Sequence, residues 1–315
     1  MNSVDVALDG RTMVMRSAVA SETYSQTALV AGATGYLGRH IVDELKQRGL
    51  RVRALVRRPE QRTALQGVAD ELHLGQVTDP ASLHGIARGV DMVFSTIGIT
   101  RQKDGLTYEE VDYRGNLNLL DEATASGVRN FLYVSVLHGR NLRHTRLVAA
   151  KERFVDALNA SSIAHCVMRP SGFFSDMAEF LAIARKGPIV LIGNGQARLN
   201  PISGRDLARV CVDAAIAGRA EVEAGGPAVY TQNEIANLAF SALHKRASIW
   251  HLPGWTGNAA SAALRALVPV QICGPIEFFL AAATQDAAAP CYGNDRLEDF
   301  FREKAGSAIA AHQPE

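Results

Sequence analysis

An apolar run, Thr27-Ala-Leu-Val-Ala31, passes directly into Gly32-x-x-Gly35-x-x-Gly38 and then into an amphipathic segment. A strand before and a helix after are what this glycine pattern requires. The first glycine turns the chain tightly off the strand end. The second lets the backbone approach a pyrophosphate, and the third lets helix and strand pack closely. The pyrophosphate would rest on the unpaired N–H groups and the positive dipole end of the helix. The turn predicts a dinucleotide site, with Gly32, Thr34, Gly35, Tyr36, Leu37 and Gly38 around the phosphates.

Strand-like and helix-like segments alternate through more than half of the 315 residues. Strands are expected over 28–31, 51–56, 71–74, 92–97, 131–136 and 164–168, with helices near 38–48, 80–88, 108–126 and 145–160. Apolar strands separated by helices of this length form right-handed βαβ units. The expected fold is α/β, a doubly wound parallel Rossmann sheet over residues 27–170. The rhythm then loosens, and 171–315 reads as a smaller C-terminal substrate-binding cap, with some strands and helices returning to the main domain. Within it, 173–186 reads as a helix and 188–202 as a hairpin around Gly193-Asn-Gly195. Ser203-Gly-Arg-Asp206 and Thr231-Gln-Asn-Glu234 read as capped helix starts, and 259–268 as an alanine-rich helix. Residues 1–26 show no steady period and are expected to form a flexible tail, with neither a secretory signal nor a transit peptide.

A net charge of +1 leaves no electrostatic footprint for nucleic acid or an anionic membrane. No apolar run reaches the roughly 20 residues of a membrane-spanning helix. Cys166, Cys211, Cys273 and Cys291 form no close pair, and the histidines lack metal-ligand spacing, so neither a metal nor a disulfide framework is expected. These features fit a reducing, cytoplasmic setting and a small-molecule partner. The helices over 108–126 and 145–160 offer faces for a homo-oligomer.

The end of the second strand tells which nicotinamide cofactor to expect. Folds that take NAD place an acid there for the ribose 2′-hydroxyl. Here the strand ends Val56-Arg57-Arg58-Pro59, and the first acid is Glu60, beyond the proline. Two guanidinium groups suit a 2′-phosphate, so Arg57 and Arg58 point to NADP(H).

Further motifs run along the chain: Gly75-Gln-Val-Thr-Asp-Pro80, Val93-Phe-Ser-Thr-Ile-Gly98, Val111-Asp-Tyr-Arg-Gly-Asn-Leu-Asn-Leu-Leu120, Phe131-Leu-Tyr-Val-Ser135, Ala150-Lys-Glu152, Met168-Arg-Pro-Ser-Gly-Phe-Phe174, Asn200-Pro-Ile-Ser-Gly-Arg-Asp-Leu-Ala208 and Cys291-Tyr-Gly-Asn-Asp-Arg-Leu-Glu-Asp-Phe-Phe301. With the glycine turn, they make residues 27–302 resemble the atypical short-chain dehydrogenase/reductase superfamily, and in it the divinyl chlorophyllide reductase-like and NmrA-like members. The resemblance implies that Ser95, Thr96 and Ile97 line the ribose and nicotinamide end. It implies that Pro170, Ser171, Gly172 and Phe173 hold the carboxamide side of the ring.

Active members of the superfamily carry a serine after the fifth strand and a Tyr-x-x-x-Lys pair on the next helix. Ser135 and Lys151 match the serine and the lysine, but Leu147 stands at the tyrosine position and Asp112 at the position of a preceding asparagine. Lys151 would still bond the nicotinamide ribose, and would serve as an acid if burial depressed its pKa. Other candidate proton donors are His138, His144 and Tyr113. Reduction of an activated C=C bond relies less on a fixed acid, because an enolate can take its proton from water. The leading expectation is an NADPH-dependent reductase of a carbonyl or activated C=C in a moderately large apolar molecule. Phe173, Phe174, Met177, Phe180, Trp250, Trp255, Phe278 and Phe279 are candidates for the pocket wall. The alternatives are a non-catalytic NADP(H) redox sensor of the NmrA-like type, and an isomerase or lyase that uses the cofactor transiently.

Overall fold

The alternation of side chains along each strand divides the core into two halves. In β1 (Thr27–Ala31), Ala28 and Val30 enter one buried cluster while Leu29 and Ala31 enter the other. The same division holds in β4 (Met92–Ser95), β5 (Asn130–Val134) and β6 (Ala164–Pro170). Strands apolar on both faces need helices on both. On one side lie α1 (Tyr36–Gln47) and α6 (Gly204–Ile216), which bury Leu37, Ile41, Leu45, Leu207 and Cys211. On the other lie α3 (Asn116–Ala125) and α4 (Arg146–Ala160), which bury Leu119, Ala123, Phe154 and Leu158.

A computed structural model provides these coordinates and describes residues 26–99, 105–256, 277, 278, 280, 281 and 285–310. With β2 (Arg51–Val56), β3 (Glu71–Leu74) and β9 (Glu221–Ala224), the strands form a parallel seven-stranded sheet in the order β3-β2-β1-β4-β5-β6-β9. The order reverses between β1 and β4. That switch point opens a crevice beyond the strand carboxyl ends, where ligands of such sheets bind.

A separate buried cluster lies in the C-terminal region, in which Phe174, Met177 and Leu181 of α5 (Phe174–Lys186) meet Ile235 and Phe240 of α7 (Gln232–Ala242) and Leu297 and Phe301 of α8 (Leu297–Ala310). Ser203 and Thr231 cap α6 and α7 through their hydroxyls, and Glu234 completes a capping box at α7.

Two sequence expectations need correction, and one strand adds to those expected. Residues 188–202 are not a hairpin. β7 (Ile189–Ile192) pairs in parallel with β11 (Ile249–Leu252), and β8 (Arg198–Leu199) pairs with β10 (Tyr230–Thr231), because the apolar runs beside Gly193 and Gly195 find longer-range partners. The helix expected over 80–88 is a single turn, α2 (Pro80–Leu83), followed by turns with Gly85 and Gly89 at positive φ. The seventh strand, β9, reads as polar in sequence because it is a short edge with two glutamates. The tail over 1–25, the alanine-rich helix over 259–268, Cys273 and Phe279 lie outside the described residues.

Candidate cofactor and active site

The glycine turn closes as its spacing predicts. Gly32 has φ +84°, and a Cβ there would strike Thr96 Oγ1; Gly35 N–H donates to Gly32 O at 2.9 Å. A Cβ on Gly38 would collide with the Gly32 carbonyl, so α1 approaches β1 only through a glycine. No side chain caps α1, and its first turn carries no acid. Its first N–H groups therefore suit a pyrophosphate, so the residues present fit the predicted group.

Around this turn the predicted residues divide by role. Thr34 is tied to the end of β2 through Gln61, whose amide donates to Thr34 Oγ1 at 3.3 Å and whose Oε1 accepts from the Arg57 and Arg58 N–H groups at 2.9 and 3.0 Å. The Arg57 and Arg58 side chains are exposed beside the turn. Tyr36 faces the cap side: its hydroxyl accepts from Gly204 N–H at 2.9 Å and its ring meets Phe173 edge-on. Burial raises the Tyr36 pKa above the ordinary tyrosine value. The Leu37 side chain is in the sheet core, which leaves its backbone as the part nearest the phosphates.

At the end of β4, Thr96 and Ile97 are half-buried, but Ser95 is fully buried and donates to Asn116 Oδ1 at 2.5 Å. The Ser95 side chain thus anchors α3 rather than lining the crevice, because its hydroxyl points inward from the strand. Beyond β6, Ser171 donates to Asn200 O at 2.5 Å and the Phe174 N–H donates to Ile202 O. Pro170, Ser171, Gly172 and Phe173 therefore form a fixed loop beside α1.

Lys151 sits on α4 with only 12% of its side chain exposed, and its Nζ lies 3.2 Å from Oδ1 of the fully buried Asp112. It also approaches Val134 O at 3.5 Å and lies 5.4 Å from the Tyr133 ring centroid. Asp112 belongs to a π-helical segment, Glu109–Gly115, that leads into α3, and its Oδ2 accepts from Ile99 N–H at 3.0 Å. The condition under which Lys151 would serve as an acid, a pKa depressed by burial, is opposed by its neighbours. Burial does pull it down, but Tyr133 and Asp112 raise it above the ordinary lysine value. The pairing with Asp112 favours the charged form of Lys151.

Ser135 is placed differently from its catalytic expectation. It is 3% exposed and donates to Glu152 Oε1 at 2.7 Å, an oxygen that also accepts from Arg169 Nη1 at 2.7 Å. Arg169 reaches the exposed Glu221 at 3.2 Å, which joins α4, β6 and β9 in one network that runs from the core to the sheet edge. His138 is half-buried with φ 53°, one residue after Leu137, whose N–H donates to Pro170 O. It therefore sits beside the Pro170–Phe173 loop. His144 is exposed on the far side of the same connection, and Tyr113 lies under the Arg153 guanidinium at 4.1 Å. Leu147 is buried with Ile99, Tyr108, Leu142 and Val148.

The proposed aromatic wall disperses. Phe174 and Met177 are cap core, Trp250 and Trp255 are 62% and 71% exposed, and Phe278 packs on the Leu147 cluster. The sequence reading passed over Glu152, Arg169, Asn116, Tyr133 and Gly98. An arginine inside an otherwise apolar strand was the available signal for the first two. Among the described residues no cluster of His, Cys, Asp and Glu is arranged to hold a metal, and no helix is long and apolar enough to cross a membrane.

Comparison with known proteins agrees with this geometry. Residues 32–217 match the model of a family described as NAD(P)H-binding. The chain is 27% identical to divinyl chlorophyllide a 8-vinyl-reductase of Zea mays, over 95% of its own length and 83% of that protein. It is 31% identical to the photosystem II assembly factor Ycf39 of Guillardia theta, over 58% of its length and 59% of that protein. An NADPH-dependent quinone oxidoreductase from Escherichia coli, crystallised with NADPH, superposes with a TM-score of 0.69 at 17% identity, covering 90% of this chain and 99% of that one. The chain belongs to the NAD(P)H-binding Rossmann family, as an atypical short-chain dehydrogenase/reductase.

Proposed function

We propose that the chain is an NADPH-dependent reductase that adds hydride to a carbonyl or an activated C=C bond of a moderately large apolar molecule. The observation that carries this reading is Lys151, a cation held at the carboxyl end of the sheet with its ammonium 3.2 Å from Asp112, a placement that suits bonding to ribose hydroxyls. The Gly32–Gly38 turn would receive the pyrophosphate, and Arg57 and Arg58 the 2′-phosphate. Thr96 and Ile97 would flank the nicotinamide half from one side and the Pro170–Phe173 loop from the other. When bound, the cofactor supplies the hydride. Leu147, Ile99 and Tyr108 belong to a buried apolar cluster on α4 and the loop beyond β4, which keeps the surroundings of Lys151 dry. The similarity to a relative named as a vinyl-reductase supports the C=C alternative.

With Leu147 where active relatives carry a tyrosine, the proton comes from another group. His138 is the candidate: a non-glycine residue with positive φ next to a ligand loop is a conformation that function commonly selects. The test is NADPH consumption against a panel of quinones, enones and aromatic ketones. Oxidation with at least one member is expected, and Lys151→Ala abolishes it. Absence of oxidation with all of them would overturn the reading. The sensor alternative draws its support from Ser135 and Leu147, since one is engaged by Glu152 and the other is buried among apolar side chains. Tight NADPH binding without turnover on the whole panel would favour it.

A further inference from the structure

A buried lysine loses several kcal/mol of hydration if it stays charged alone, so it either sheds its proton or takes a counter-charge. Lys151 has such a counter-charge. Asp112 is fully buried, and its Oδ1 faces Lys151 Nζ at 3.2 Å. Every other connection of Asp112 serves to fix that oxygen. Oδ2 accepts from Ile99 N–H at 3.0 Å, and the Asp112 carbonyl accepts from Asn116 Nδ2 at 2.8 Å. Asn116 Oδ1 in turn takes the Ser95 hydroxyl. The π-helical turn around Asp112 is the local distortion that points the carboxylate into the sheet, and such turns concentrate at functional sites.

Gly98 completes the arrangement. A Cβ there would lie 2.7 Å from both Asp112 Oδ1 and Lys151 Nζ, so the chain beyond β4 passes the ion pair with no side chain between. The groups facing Lys151 are Asp112 from the π-helical turn, Tyr133 and the Val134 carbonyl from β5, and Gly98 from the β4 loop. Glu152, its helix neighbour, is occupied by Arg169 and Ser135. The Tyr133 hydroxyl is buried beside Lys151 and, with Asp112, raises its pKa.

We propose that Asp112 is a positioning residue that keeps Lys151 charged and aimed past Gly98 toward the crevice. The assignment rests on the reading of Lys151 as a cofactor-binding cation. It makes the cofactor affinity of this site insensitive to pH through the neutral and mildly alkaline range. Without the carboxylate, burial is opposed by Tyr133 alone, and the Lys151 charge is lost at a lower pH than in the parent.

The test has two arms on the full chain. In the first, the protein is labelled with ¹³C at lysine Cε, and Lys151 is titrated by NMR in the absence of cofactor, assigned by its loss in Lys151→Met. In Asp112→Asn, which can keep the hydrogen bond from Ile99 N–H, the Lys151 midpoint is expected to fall by at least about one pH unit, a roughly tenfold change in proton affinity. An unmoved midpoint in folded Asp112→Asn would overturn the proposal. In the second arm, NADPH binding is measured against pH. Asp112→Asn should bind within a few-fold of the parent at the acid end and lose about tenfold or more at the alkaline end, while the parent stays flat. A parallel pH dependence in both proteins would also overturn it. If the parent fails to bind NADPH, the functional reading fails, and the first arm still decides what Asp112 does to Lys151. Should Asp112→Asn not fold, Gly98→Ala, which drives a methyl group between the two charges, supplies the same titration with both ionisable groups retained.

Discussion

Ser135 Oγ donates to Glu152 Oε1 at 2.7 Å, and the Arg169 guanidinium closes the other side of the same carboxylate. Successive helix positions diverge by about 100°, so Lys151 and Glu152, adjacent on α4, serve different surroundings. One pairs with Asp112, and the other is spent on joining α4 to β6. Glu152→Ala leaves Arg169 buried with one partner fewer and should cost about 3–5 kcal/mol in denaturant unfolding. Ser135→Ala should cost about 1 kcal/mol and lower kcat far less than Lys151→Ala does. A Ser135→Ala variant that folds normally but matches the Lys151→Ala loss would restore Ser135 to the chemistry.

Gly38→Ala tests the close approach of α1 to β1. The added methyl group meets the Gly32 carbonyl and the Ala33 Cα, which are backbone and cannot turn aside. Overpacking of this kind costs about 1–3 kcal/mol or more, and the displaced helix start should also lose NADPH affinity. A calorimetric scan and a binding titration read the two effects. Unchanged values in both would show that the helix can slide.

Arg57 and Arg58 can be tested by cofactor preference. Arg57→Ala combined with Arg58→Ala removes charge-assisted bonds to a 2′-phosphate, each worth about 1.5–3 kcal/mol. NADPH should weaken by about 10- to 100-fold for each bond lost while NADH changes little. Equal weakening of both cofactors would assign the arginines to general electrostatics.

The C-terminal segment is held by Asp295, which accepts from Ser203 Oγ at 2.7 Å and pairs with Arg205, while Asp206 accepts from the Asn294 and Asp295 N–H groups. Burial pushes the Asp295 carboxyl up, but its bonds to Arg205 and Ser203 outweigh that and hold it below the usual carboxylate value. A carboxyl depressed in the folded state stabilises above its unfolded pKa and stops doing so as pH falls through its folded one. Stability should therefore drop on acidification below the usual carboxylate range, and less so in Asp295→Asn. Equal acid profiles for the two proteins would remove Asp295 from that transition.

Much of the fold was legible because its signals are local. The run Thr27–Ala31 and the glycines after it specify a strand, a turn and a helix within a dozen residues, and steric needs at Gly32 and Gly38 are met inside that same stretch. The capping boxes are local in the same sense. Strand β9 and the β7–β11 pair escaped because parallel pairing joins residues far apart, as Val190 with Trp250. No turn chemistry marks such a pairing.

For the site, the sequence by itself determined the dinucleotide turn and placed Arg57 and Arg58 at the β2 end. Each of these depends on residue type at a fixed spacing. Only the tertiary structure decided what the charged groups do. Lys151 and Asp112 lie on separate elements and meet beneath Gly98, whereas Ser135 turns to Glu152 and Arg169. A charge buried by folding is governed by whichever opposite charge shares its dry surroundings, and that neighbour is chosen by packing across the sheet rather than along the chain.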